Sequence, residues 1–155
     1  MFKKIKSKIL VFLIFIPLLQ SCGYVPMYSS NSAKNFYFEE IILNGDRETN
    51  IYINDKLKKH NNFNSEKKFI LNINTNYSKN SISKDLTGKT VKYEVEIESI
   101  VDVEKNNINK NILIKEKFIM ENFNNELDEK KYEDSIKKNY SDLFINKLIL
   151  QLMNL

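Results

Sequence analysis

Val91-Lys92-Tyr93-Glu94-Val95-Glu96-Ile97-Glu98-Ser99-Ile100-Val101-Asp102-Val103-Glu104 is the stretch that decides how this chain folds. Its odd positions are almost all apolar, whereas its even positions are charged except for Ile100. Successive side chains of a strand point to opposite faces, so alternation sustained over the whole stretch predicts a long strand, one face buried and one wet. Burial on one side only is the pattern of an antiparallel sheet; a parallel sheet is covered on both faces. Each large side chain on the buried stripe contributes roughly 1.5–3 kcal/mol.

Working outward, residues 68–77 alternate in the same way, with Phe69, Leu71, Ile73, Thr75 and Tyr77 on one face and mostly Lys and Asn on the other. Ser81 to Lys89 reads as a polar loop between these two strands. Lys105 to Lys110 reads as a hairpin-length turn, and residues 111–121 return as a strand with Ile112, Ile114, Phe118 and Met120 in phase. Glu116 interrupts that face, which predicts a bulge or a polar contact there. Upstream, the aromatic and β-branched run 36–43 predicts a first strand. Asn44-Gly45-Asp46 predicts a turn, with Asp46 placed to cap a helix over 47–60 that carries Ile53, Leu57 and His60 on one side. Residues 128–153 carry Tyr132, Ile136, Tyr140, Leu143, Phe144, Leu148 and Leu152 at spacings of three and four, the strongest helical pattern in the chain. The predicted order is therefore β-α-β-β-β-α. It defines an α+β, two-layer sandwich: a four-stranded, mainly antiparallel sheet with two helices packed on one face, in a single domain over 35–155.

The first thirty residues carry a different message. Lys3, Lys4, Lys6 and Lys8 precede an apolar run from Ile9 to Leu19. As a helix that run reaches only about 16 Å, roughly half a hydrocarbon core, so it is too short to span a membrane. Its length and flanks are those of a signal peptide over 1–21. Leu19-Gln20-Ser21-Cys22 follows as a lipobox, and Cys22 is the one cysteine of the chain. A lone thiol has no intramolecular disulfide partner, and acylation would remove it from an oxidising compartment. Cys22 is therefore the expected site of lipid attachment, with residues 22–34 as lipidated N-terminus and tether. Gly23 in the next position favours outer-membrane sorting, with the domain on the periplasmic side. Loss of the four leader lysines takes the net charge from +4 to zero, so the basic composition is no argument for a nucleic-acid partner.

Catalytic chemistry is sparse. His60 is the one histidine, with no cysteine or second histidine to join it as a metal set, and no nucleophile motif occurs. None of Gly23, Gly45 and Gly88 lies in a phosphate-cradling loop. The Glu94, Glu96 and Glu98 row reads as a solvated strand face and not as paired catalytic acids. No catalytic residue, no metal and no cofactor is expected: the chain reads as a protein that binds and holds, not as an enzyme.

Cys22-Gly23-Tyr24-Val25-Pro26-Met27-Tyr28 resembles the mature start of the alphaproteobacterial type of the lipopolysaccharide-assembly lipoprotein LptE family. The resemblance runs on through the strand–helix start, the two long hairpin strands, Thr87-Gly88-Lys89-Thr90 before the 91–104 strand, and the C-terminal helix. It implies a plug and assembly factor lodged in the large outer-membrane β-barrel that inserts lipopolysaccharide. It also implies contact with lipopolysaccharide through basic residues at one end of the sheet. Where the family often has an arginine before the third strand, this chain has Lys89 and Lys92, with Lys84 in the preceding loop. The competing expectation is a periplasm-facing lipoprotein that binds a lipid or glycan in a pocket of its own.

Overall fold

The computed structural model describes residues 36–106 and 108–155. The expected signal peptide 1–21, the acylated Cys22 and the tether 22–34 lie outside the described residues. The order of elements is the expected one: β1 (Tyr37–Gly45), α1 (Arg47–His60), β2 (Lys68–Lys84), β3 (Thr90–Lys105), β4 (Ile108–Glu121) and α2 (Glu126–Met153). They build one four-stranded sheet in the order β1-β2-β3-β4. β1 runs parallel to β2 across the α1 crossover, and β2, β3 and β4 form an antiparallel meander.

Local chemistry sets the element ends. Asp46 caps α1 by accepting from the Thr49 amide at 2.9 Å and the Thr49 hydroxyl at 2.6 Å. Gly45 precedes it with φ +90°, and a Cβ there would stand 1.9 Å from the Thr75 carbonyl oxygen, so only glycine fits. Asn125 caps α2 by accepting from the Leu127 amide at 2.9 Å, and Glu126, Asp128 and Glu129 place negative charge on the positive end of the helix.

Both hairpins are tighter than expected. β2 continues to Lys84, through irregularities at Ser81/Ser83 and Ser83/Lys84, so the connection to β3 shrinks to Asp85–Lys89. Asp85 organises it, accepting from the Thr87 amide and hydroxyl at 2.8 and 2.6 Å and from the Lys89 amide at 3.0 Å, while Gly88 closes it at φ +83°. At the other end Lys105 already pairs with Ile108. Asn106 takes up the left-handed φ of +50°, a conformation asparagine tolerates well. Polarity alone overstated both loops, since backbone ladders run through Ser, Asn and Lys without objection.

Phe69, Leu71, Ile73, Val95, Ile97, Val101, Val103, Ile112, Ile114 and Met120 face the helices and are buried with Ile53, Leu57, Tyr140, Phe144 and Leu148. Two expectations need correcting. Val91 is exposed, because the β2–β3 hairpin runs past the helix layer. Tyr132 and Leu143 are exposed as well, while Ile145, Lys137 and Ser141 are buried. The stripe of α2 is rotated toward α1, against which the helix also packs. Glu116 makes no bulge: the β3–β4 register is unbroken, and its carboxylate accepts from Lys147 of α2.

Candidate functional site: an uncovered sheet face and its hairpin tip

The inner face contains one polar knot. The Thr75 and Ser99 hydroxyls lie 2.9 Å apart across β2 and β3. The Tyr140 hydroxyl donates within reach of both Ser99 Oγ at 2.7 Å and the Ile114 carbonyl at 3.0 Å. All three side chains are buried, and burial raises the Tyr140 phenol well above its ordinary value. This knot pins α2 to the centre of the sheet.

A second polar seam lies where the N-terminal half of α2 meets the sheet and α1. Lys137 is buried and donates to Glu48 at 2.5 Å, with its ammonium 4.5 Å from the Tyr77 ring centroid. Lys79 pairs with Glu129 and Glu133 and sits 4.5 Å over the Tyr93 ring. Burial would lower the Lys79 ammonium, but the hydrogen bonds to Glu129 and Glu133 outweigh it and the net shift is upward. Burial and the neighbouring Glu133 carboxylate push Tyr77 up to about 12. Tyr52 donates to Asp134, which also accepts from Lys138 at 2.7 Å. A cleft of about 520 Å³ opens beside these residues, lined by Glu48, Glu126, Glu129, Glu133 and Asp134. Of these, Glu48, Glu129, Glu133 and Asp134 are already engaged by lysines of the chain. Nothing in the sequence announced this seam except a lysine placed between Ile136 and Tyr140, whose partner lies 89 residues upstream.

The outer face has no helix over it among the described residues. Cross-strand rows run over it: Asn72–Asp102–Asn111, Asn74–Ile100–Leu113, Asn76–Glu98–Lys115, Ser78–Glu96–Lys117 and Asn80–Glu94–Ile119. Lys115 reaches Glu96 at 2.6 Å and Glu98 at 3.2 Å, and Lys117 reaches Glu94 at 2.8 Å and Glu96 at 3.3 Å. The hydrogen bond from Lys115 holds Glu96 below the ordinary carboxylate range, and the partners hold both lysines above theirs. A general acid needs the opposite shift, upward toward neutrality. The charged core of the face is thus paired within itself, three carboxylates against two ammonium groups, and flanked by amides and by the exposed Ile100, Leu113 and Ile119.

The three lysines singled out from the sequence gather at the β2–β3 hairpin tip. Lys84 pairs with Thr90 across the hairpin, Lys92 pairs with Ser83 and Glu121, and Lys89 lies in the turn itself. All three are exposed, and among the described residues none of the three ammonium groups forms a salt bridge. Beside them Leu86 is fully exposed and Ile82 and Val91 are partly so. The Thr87 hydroxyl and the turn amides keep Asp85 below its ordinary value, so the turn is fastened internally and the lysines stay available. His60 ends α1 half-buried. Among the described residues no group of three His, Cys, Asp or Glu side chains is placed to hold a metal ion, and no helix is long and apolar enough to cross a membrane.

These features define the class: a two-layer α+β domain in which a βαβ unit leads into a three-stranded meander, with helices, among the described residues, on one face only. The same fold is carried by bacterial lipoproteins. The chain is similar in structure to rare lipoprotein B from Shewanella oneidensis, with a TM-score of 0.54 at 14% identity over 74% of this chain and 93% of that one. It is also similar to lipoprotein B from Nitrosomonas europaea, with a TM-score of 0.51 at 12% identity over 75% and 83% of the two chains. At these identities the likeness is one of fold. No protein-family model matches the sequence, and no curated protein does.

Proposed function

We propose that this chain is a lipid-anchored outer-membrane lipoprotein, acylated at Cys22, that partners the large β-barrel inserting lipopolysaccharide at the outer membrane. It acts there as plug and assembly factor, by binding and not by catalysis. The observation that carries this reading is the asymmetry of the sheet. One face is sealed by the chain's own helices, and the other offers amides, a row of cross-strand ion pairs and the exposed Ile100, Leu113 and Ile119 to a neighbour. Such a surface matches the polar lumen of an outer-membrane barrel. Protein–protein interfaces of this kind are rich in hydrogen bonds and water and need no apolar surplus. The lipobox supplies delivery, since an acylated N-terminus with more than one chain anchors stably. Lys84, Lys89 and Lys92 at the projecting tip are placed to meet phosphate groups as point charges.

A ligand carrier would need room between its layers, and here Phe36, Phe69, Tyr140 and Phe144 fill that space. Affinity purification of the tagged full chain from membranes tests the proposal. The expected result is co-purification of an outer-membrane β-barrel, together with faulty assembly of that barrel when the lipoprotein is depleted. A clean preparation with no barrel overturns it. Cys22→Ser is expected to release the chain from the membrane fraction.

A further inference from the structure

The chain enters the domain at Phe36, which bridges to Asn61 beside the start of β1. The α1–β2 loop and the β3–β4 hairpin lie at this same end of the sheet. Tyr37 stands opposite Lys68, Ile70 opposite Glu104 and Lys105 opposite Ile108. β2 runs 17 residues from here to the hairpin tip, so the tip is about 50 Å away. The stretch from Cys22 to Phe36, fully extended, reaches at most about 50 Å. Chain connectivity thus ties this end, ahead of the tip, to an acyl anchor on Cys22.

This end also lifts two apolar side chains into solvent. Phe63 is 78% exposed and Ile108 65%. Phe63 is held out by a tight turn, in which the Ser65 amide donates to the Asn62 carbonyl at 3.0 Å and the Asn64 amide donates to Asn62 Oδ1 at 3.1 Å. Its ring leans on Tyr37, the centroids 5.5 Å apart, yet most of it stays open. Around the two loops Lys58, Lys59, Lys67, Lys68, Lys105 and Lys110 outnumber Glu39, Glu66 and Glu104. Lys68 is answered by Glu39 at 3.2 Å, and Lys105 donates to the Leu155 carbonyl at 2.6 Å. Lys58, Lys59 and Lys67 form no salt bridge among the described residues. The negative end of α1 accounts for Lys58 and Lys59 in its last turn, but for neither Lys67 nor Phe63.

An aromatic ring on a fastened turn, surrounded by unpaired ammonium groups, fits the headgroup region of an anionic bilayer. Rings settle there at the boundary with the acyl chains, and lysines gain from the negative surface. We propose that this end of the domain docks on the anionic phospholipid surface of the membrane that holds the Cys22 acyl chains. Phe63 enters at headgroup level, and Lys58, Lys59 and Lys67 meet lipid phosphates. The anchor fixes where the protein is; the patch fixes how it stands, with the sheet rising from the surface and the hairpin tip pointing away. The proposal rests on acylation of Cys22 and on no other part of the proposed function. It leaves the open sheet face and the tip free for the barrel.

The chain contains no tryptophan, so Phe63→Trp supplies a single reporter at an exposed position. The acylated full chain is reconstituted into vesicles of phosphatidylcholine and phosphatidylglycerol, and flotation with the vesicles reports the anchor separately. The expected emission is shifted to the blue, and lipids brominated on the acyl chain quench it at least about threefold more than a Leu86→Trp reporter at the tip. Lys58→Glu, Lys59→Glu and Lys67→Glu together, or phosphatidylcholine alone, cut the Phe63→Trp quenching by about half or more. A chain that floats while Phe63→Trp emits as in water overturns the proposal. Equal quenching of the two reporters, or quenching indifferent to the charge reversal, does the same. A chain that does not float refutes the acylation itself, and the proposal falls with it.

Discussion

Along β3, Val95, Ile97, Ser99, Val101 and Val103 are sealed under the two helices, while Glu94, Glu96, Glu98, Ile100 and Asp102, one residue away in each case, stand on the open side. The two faces share a backbone and solve opposite problems. Inside, shape matters together with the Thr75–Ser99–Tyr140 knot and the Lys137 seam, because an unpaired group there has no water to fall back on. Outside, Lys115 and Lys117 answer three glutamates, and amides share the rest with the exposed Ile100, Leu113 and Ile119. The teaching is that stability is concentrated on one face, which leaves the other free to be shaped for a neighbour.

The largest blow to this division is a change on the inside. Phe144→Ala removes a fully buried ring, and a loss of about 3–5 kcal/mol is expected in urea unfolding. A loss below about 1 kcal/mol would mean the helix layer is not the seal described. Next in size is Tyr140→Phe, which keeps the ring and deletes the hydroxyl that serves Ser99 and the Ile114 carbonyl, at an expected cost of about 1–3 kcal/mol. No change in the unfolding midpoint would show that the knot contributes nothing to docking α2.

A smaller effect follows from pH. Glu96 has its folded-state value depressed below the ordinary 4.5 by the Lys115 hydrogen bond. A depressed carboxylate adds stability that is present above 4.5 and lost as pH falls through the lower folded value. The urea midpoint should therefore decline modestly in acid, and salt should blunt the decline at this solvated face. A salt-independent response would place its source elsewhere. The smallest effect is expected from Asn76→Ala on the open face, within about 0.5 kcal/mol in the same assay.

Much of this architecture was legible in the residues. Period-two alternation named the buried faces of β2, β3 and β4 correctly, except at Val91 past the helix layer, and Asp46 announced the start of α1, because both signals are local. What stayed hidden depends on distant partners. The inner stripe of α2 turned away from Tyr132 and Leu143 because the helix packs on α1 as well as on the sheet, and Lys137 is buried by virtue of Glu48 and Tyr77. Loop lengths were overstated where Ser, Asn and Lys continued a ladder whose partners sequence polarity does not reveal. Lys84, Lys89 and Lys92 do come together at one tip, but only the register of the hairpin brings them there.

The division between faces is tested most directly by photo-crosslinking from single positions of the full chain in native membranes, comparing Asn74 and Asn76 on the open sheet with Asn139 and Asn146 on the exposed side of α2. The account predicts adducts to one large outer-membrane protein from the two sheet positions and none from the helix. Adducts from the helix alone, with the sheet positions silent, would contradict it.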